Sequence, residues 1–333
     1  MNFNQLSRDR QLAAFESAAR EALARWNLPG ASLRLIALRS NAVFAAETPD
    51  KRCILRVNWP ERKSLAYIQS EAAWTSDLHR RGLPVAHALR EPEVIRLDGA
   101  LRMASTLIPY LDGEQVLGPD FTLEHAAATG RLMAQLHLAG QDFTPDAAFD
   151  RFRLDYDGLF GARSIYRLDS GGQALLAPHR PTLDAVTSRV AEIFARLDTE
   201  GGAFGLIHGD LKPDNMLFAA PDQPRLLDFD DCGYGYFLYE FAPLLLFTRS
   251  EIPAQADPRY QAVKSAAWGA YTAALPLPDW QFDALETLVA GRFAASCLWV
   301  ASHHDHPAYR DKAHAILAER LTRLNGFLAN GAL

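Results

Sequence analysis

The chain has 333 residues, 49% of them hydrophobic and 22% charged, with 34 basic against 40 acidic side chains and a formal charge of −6. That length leaves room for two lobes or two small domains, and the composition is that of an ordinary globular protein. An acidic balance argues against a nucleic-acid partner, which needs a basic face or stripe. Three widely spaced cysteines, Cys53, Cys232 and Cys297, form no C-x-x-C pair. They predict neither a disulfide framework nor a structural zinc site, but a reducing, cytoplasmic compartment. The polar start "MNFNQLSRDRQ" lacks the apolar core of a signal peptide. Apolar clusters such as "FAPLLLF" at 241–247 are too short to span a bilayer, so no membrane partner is expected.

Residues 8–26 place Leu12, Phe15, Ala19, Ala22, Leu23 and Trp26 at helical spacing, and "NLPG" ends the pattern. Three strand-like runs follow at 32–38, 41–48 and 52–58, with "PDK" turning the chain between the last two. A helix is expected over 64–81, stopped by Gly82 and Pro84, and then strands at 93–97 and 102–108 joined by Asp98-Gly99. Together these make a compact α+β lobe over 1–109. The remainder, 110–333, changes character: 122–140 is strongly helical, 141–180 reads as loops and short helices, and helices dominate from 181 onward. No repeat or low-complexity linker is present, so the two lobes meet near 109–113.

The chemistry concentrates in "LIHGDLKPDNMLF" at 206–218 and "LLDFDD" at 226–231. Apolar runs flank a polar loop, then a second apolar run ends at Asp228, which fits a hairpin bringing Asp210, Asn215 and Asp228 together. Phosphoryl transfer from ATP needs this set: a carboxylate for the hydroxyl proton, an amide carbonyl and a second carboxylate for Mg2+, and a cation for the γ-phosphate. Asp210, Asn215, Asp228 and Lys212 supply it.

These stretches resemble the kinase superfamily, and within it the phosphotransferase branch of aminoglycoside phosphotransferases, choline kinases, type II homoserine kinases and the bacterial stress-response kinase A group. That branch favours H-G-D-L-H-x-x-N where protein kinases carry H-R-D-L-K-x-x-N; the chain has Gly209 from the first pattern and Lys212 from the second. The resemblance extends over roughly 30–300 and is clearest at 204–242. It implies a bilobal protein-kinase-like fold, with a small β-rich N-lobe (1–109) for nucleotide and a larger, mainly helical C-lobe (110–333) for catalysis and substrate. It makes Asp210 the catalytic base, Asn215 and Asp228 the metal ligands, Lys212 a γ-phosphate contact and His208 a structural residue beneath the loop. ATP and Mg2+ are the implied cofactors.

By the same resemblance, Arg56 of "CILRV" and Glu71 of "QSEAAW" correspond to the basic residue and acidic partner that hold the α- and β-phosphates. The phosphate-covering turn "RSNA" has no glycine, so Ser40 and Asn41 are expected to form it. "LIPYLDG" matches the interlobe stretch, giving Pro109 through its carbonyl and Leu111 through its amide as adenine contacts. Asp230 stands where protein kinases have the glycine of D-F-G, and little chain separates it from the next helix, so no activation loop is expected. Glu240 stands where related proteins usually have the aspartate that braces the catalytic loop, and is expected either to do the same with one more methylene or to be a simple helix-surface acid.

The acceptor is expected to be a small polar molecule with a hydroxyl, such as an amino alcohol, an aminoglycoside or a homoserine-like compound. Asp157, Asp230, Asp231 and Asp305 with Trp268, Trp299 and Tyr234 are the candidate acidic and aromatic contacts. The run "SHHDH" at 302–306 reads as a solvated helix end, not a metal site. A Ser/Thr protein kinase of the stress-response type and a nucleotide-binding relative without transfer activity are the alternatives. The oligomeric state is not legible.

Overall fold

The computed structural model describes residues 3–39, 41–60, 62–97, 101–250, 254–331 and 333. The chain divides into two compact units, Met1–Asp112 with Phe143–Arg151, and Gly113–Asp142 with Phe152–Leu333. In the first, helix α1 (Arg8–Arg25) is capped by Ser7, whose side chain accepts from the Arg10 N–H. Its apolar stripe of Phe15, Ala18, Ala19, Ala22 and Leu23 packs in one core with residues of a five-stranded antiparallel sheet, among them Phe44, Leu55, Val57 and Leu107. The strands are β1 (Ser32–Leu38), β2 (Asn41–Glu47), β3 (Arg52–Asn58), β4 (Glu93–Arg96) and β5 (Arg102–Pro109), in the order β1-β2-β3-β5-β4. Helix α2 (Leu65–Arg80) follows β3, capped by Ser64.

One difference from the sequence reading appears in this unit, in Phe143–Arg151. Asn41 closes the turn after β1, since the last β1–β2 pair is Leu38 with Ala42, and it also opens β2 opposite Asn58, where its Oδ1 accepts from Asn58 Nδ2 at 3.1 Å. Ser40 and the Asp98-Gly99 turn lie outside the described residues. The segment Phe143–Arg151, expected in the second lobe, belongs to the first unit. Arg151 stacks on the Tyr67 ring, 3.7 Å from its centroid, and donates to the Tyr67 carbonyl, while the Asp150 N–H donates to Ser70 Oγ. Polar contacts of this kind leave no hydrophobic period to read.

The second unit begins with α3 (Leu123–Asp142). A short strand β6 (Arg153–Leu154), helices α4 (Tyr156–Leu159) and α5 (Ser170–Leu176), and the long α6 (Arg180–Thr199) lead to β7 (Phe204–Ile207), the strand before the motif loop. Strands β8 (Met216–Phe218) and β9 (Pro224–Leu226) form the expected hairpin, with Met216 opposite Leu226. Strand β10 (Gly233–Tyr236) follows immediately, antiparallel to β7 and parallel to β6, so 233–236 is ladder and not an activation loop. Helices α7 (Phe241–Phe247), α8 (Pro258–Thr272), α9 (Trp280–Ser302) and α10 (Ala313–Asn330) complete the unit. Gly130 of α3 lets α8 approach: a Cβ there would lie 2.2 Å from the Ala267 carbonyl oxygen.

Helix α9 corrects the expectation that no segment is long and apolar enough to cross a membrane. By length and composition it qualifies, but 61% of its apolar window is buried inside the protein. Its hydrophobicity is that of a core helix surrounded by other helices.

Candidate active site

The loop after β7 is built on a buried acid. Glu240 is fully buried, and its carboxylate accepts the backbone N–H of His208 at 2.5 Å and of Gly209 at 3.0 Å. The bracing reading of Glu240 therefore fits the geometry, and the surface-acid reading does not. Gly209 has φ +79°, and a Cβ at that position would stand 2.4 Å from the Asp231 carbonyl oxygen. Only glycine lets the loop run so closely over the 229–231 turn. The buried His208 ring is held by Nε2 donating to the Leu227 carbonyl at 2.8 Å, with Nδ1 facing the Asp210 N–H at 3.4 Å. Both ring nitrogens are committed to backbone, which suits a brace.

Behind Glu240 lies a second buried ring. His137 is fully buried, its Nε2 lies 3.8 Å from Glu240 Oε2, its Nδ1 is 2.8 Å from the Tyr271 hydroxyl, and its ring stacks on Phe237. Burial pushes its pKa below the ordinary imidazole value despite the opposing pull of Glu240. A neutral folded-state His137 binds fewer protons than its unfolded counterpart, whose pKa is about 6.5. Its contribution to stability is therefore complete above that pH and is lost as pH falls toward the folded value. The thermal midpoint should decline as pH falls below about 6.5, and His137→Phe should flatten that decline.

Asp210 sits at the centre. Its Oδ1 pairs with Arg292 Nη2 at 2.8 Å and its Oδ2 with Lys212 Nζ at 2.7 Å. Asn215 Nδ2 donates both to the Asp210 backbone carbonyl at 2.9 Å and to Oδ2 at 3.0 Å. Burial alone would raise the pKa of this carboxyl, but Arg292 and Lys212 together outweigh it and hold the group below the usual carboxylate range. A buried carboxylate kept ionised, with its orientation fixed by three donors, can accept a proton from a hydroxyl brought against it. Burial pushes the nearby Tyr166 hydroxyl up to about 12, against the pull of Arg292, so it remains a neutral phenol.

The hairpin sets the other two oxygen donors. The Leu227 N–H donates to the Asn215 carbonyl at 2.9 Å, and the chain then turns at Asp228, whose φ of +55° is one of two positive values among the described non-glycine residues. Aspartate tolerates that conformation better than most residues, and here it leaves Asp228 exposed directly beyond the hairpin. Because Asn215 commits its NH2 to Asp210, its Oδ1 faces away from that contact. Amide and carboxylate oxygens are hard ligands that fit Mg2+, which normally takes one or two protein carboxylates and completes its shell with phosphate and water. Among the described residues, no group of three or more His, Cys, Asp or Glu side chains forms a self-sufficient metal site.

In the other unit, Arg56 of β3 and Glu71 of α2 meet as a buried ion pair at 2.7 Å. Pro109 closes β5 opposite Cys53, and Leu111 follows outside any strand. Of the candidate acceptor contacts, Trp268 and Trp299 are packed against other aromatic rings. Trp268 packs against Phe241 and Phe282 and borders a cavity of about 320 Å3 with Ser265, Asp279 and Asp283, whereas Trp299 stacks on His303 and meets Tyr309 edge-on. Asp157 is taken by Arg163. Nor is "SHHDH" a solvated helix end: His306 is buried and His304 pairs with Asp169 at 2.9 Å.

Arg292 is the residue the motif search missed. It lies 82 positions from Asp210, in the apolar stretch "LVAGRFAASCLWV". A charge inside such a run must find a partner on burial, and that was its only signal.

The loop, hairpin and ion-paired carboxylate define a phosphotransferase of the protein-kinase-like fold. The chain belongs to the phosphotransferase enzyme family APH, whose model matches residues 32–280. A homoserine kinase of Pseudomonas aeruginosa is 33% identical over 196 residues, 57% of this chain and 57% of that protein; the match thus spans less than two thirds of the relative's own length. The structure is similar to that of a microcompartment-associated aminopropanol kinase, with 25% identity, TM-score 0.72, and 96% and 99% of the two chains covered. It also shares the fold of an amicoumacin kinase in complex with AMP-PNP and Ca2+, at 17% identity and TM-score 0.71, with 94% and 96% covered.

Proposed function

We propose that the chain transfers the γ-phosphate of ATP to a hydroxyl of a small polar molecule. The observation that carries this reading is Asp210, buried yet held as a carboxylate by Arg292 and Lys212, on a loop braced from beneath by Glu240. Asp210 accepts the hydroxyl proton as the acceptor oxygen bonds to the γ-phosphorus and the bridging P–O bond breaks, releasing ADP. Lys212 exchanges its contact with Asp210 for the γ-phosphate. Asn215 Oδ1 and the Asp228 carboxylate would hold Mg2+, and the ion would offset charge on the transferring group. The Arg56–Glu71 pair positions an arginine for the α- and β-phosphates, and the backbone of Pro109 and Leu111 meets adenine. Family membership supports the reaction class, and the AMP-PNP and Ca2+ held by the amicoumacin kinase support a nucleotide and a divalent ion.

Three buried, unbridged cysteines support a reducing, cytoplasmic setting. The test is transfer from ATP and Mg2+ followed by ³¹P NMR against amino alcohols, hydroxy amino acids and aminoglycosides. A new phosphomonoester signal on one class is expected; ADP formation without any phosphorylated acceptor, or no nucleotide binding, would overturn the reading.

A further inference from the structure

Helix α9 delivers one guanidinium to the loop, and the charge count around Asp210 makes it informative. Asp210 pairs with two cations, at 2.7 and 2.8 Å, and Asp231 is a further acid close enough for Arg292 to feel its charge. The two cations differ in kind. Lys212 is a compact ammonium on a flexible stem, resting over the Phe247 ring, and it belongs to the same loop as Asp210. Arg292 projects from a packed helix, with its side chain only 14% exposed. Its guanidinium carries five N–H donors in a fixed plane. One of them meets Asp210, and among the described residues the buried Nε has no hydrogen-bond partner. An orphaned buried donor calls for an oxygen.

The reacting hydroxyl must come within about 2.6–3.2 Å of the Asp210 carboxylate. Any molecule so placed lies against the Arg292 guanidinium, because the two side chains touch. An ammonium group near the hydroxyl would face a like charge in a site of low dielectric, whereas a carboxylate would meet a guanidinium whose planar fork matches it. When Lys212 leaves for phosphate, an acceptor carboxylate also supplies the oxygen that the orphaned donor lacks.

We infer that Arg292 reads an anionic group on the acceptor, so that the molecule phosphorylated is a hydroxy acid or hydroxy amino acid with a carboxylate a few bonds from its hydroxyl. This rests on the reading of Asp210 as the site of transfer. It separates the two acceptor chemistries among the relatives: homoserine carries a carboxylate and aminopropanol does not.

The experiment has two arms. In the first, the full chain labelled with ¹⁵N-arginine is titrated with 4-hydroxybutyrate, L-homoserine and 3-amino-1-propanol, and the Arg292 Nε–H signal is identified by its loss in Arg292→Lys. Both carboxylates should shift that signal saturably and the amino alcohol should not. An unmoved signal with the carboxylates, or an equal shift with the amino alcohol, overturns the inference. In the second arm, kcat/KM for L-homoserine should exceed that for 3-amino-1-propanol by roughly 10²-fold, and the ratio should collapse toward one in Arg292→Lys. An equal loss for both acceptors would reduce Arg292 to a positioning residue for Asp210. A carboxylate-specific shift without transfer to any acceptor would instead overturn the proposed reaction and leave the anion site standing. Transfer that favours the amino alcohol would do the reverse.

Discussion

Replacing Asp210 with Asn should lower kcat by roughly 10²- to 10⁴-fold, the range typical of a lost general base, while KM for ATP changes by no more than a few-fold. Asn keeps the shape of the side chain and one acceptor oxygen. It removes the charge proposed to accept the proton, and it leaves Arg292 and Lys212 without the carboxylate that both pair with. The damage should therefore be local to the transfer step. A coupled ADP assay with the best acceptor, alongside nucleotide binding by calorimetry, checks both halves. Turnover within about tenfold of the wild type, a change of only 1.4 kcal/mol in barrier, would take the base assignment away from Asp210.

Glu240→Ala should have the second large effect, on stability as well as rate. Its carboxylate is fully buried and accepts two backbone N–H groups, from His208 and Gly209. Truncation orphans both donors and removes the acid facing His137. Buried hydrogen bonds to a charged group and the penalty of unpaired donors together suggest about 2–5 kcal/mol, or roughly 5–15 °C in the thermal midpoint for a unit of this size. Glu240→Gln keeps one acceptor oxygen and most of the volume, so it should recover part of the loss. The loop it holds carries Asp210, so both variants should lose turnover in the order of their instability. An unchanged midpoint in Glu240→Ala would show that the loop holds its shape without the brace.

Much of the site could be read locally. The positions of Gly209, Asp210, Asn215 and Asp228 follow from a short loop between two apolar runs, because a hairpin with Met216 opposite Leu226 has only one way to place its flanking residues. The first five strands and α1 to α3 followed from period and punctuation for the same reason. The segment Phe143–Arg151 was not legible in the same way, because stacking on Tyr67 and hydrogen bonds to its carbonyl and to Ser70 hold it.

What the sequence determined by itself was the class of chemistry, since Asp210, Lys212, Asn215 and Asp228 lie within 19 positions on one loop and hairpin, where chain connectivity limits the geometry. What only the tertiary structure decided was the company Asp210 keeps. Arg292 arrives from 82 residues away, on a helix whose pattern shows only that it is buried. His137 and Glu240 come together from separate helical segments, and Phe143–Arg151 joins the first unit through stacking and backbone hydrogen bonds. Hydrophobic period records which face of an element is buried. It carries no record of which polar group will be opposite, because that is fixed by how the helices pack and by the need of every buried charge to find a partner.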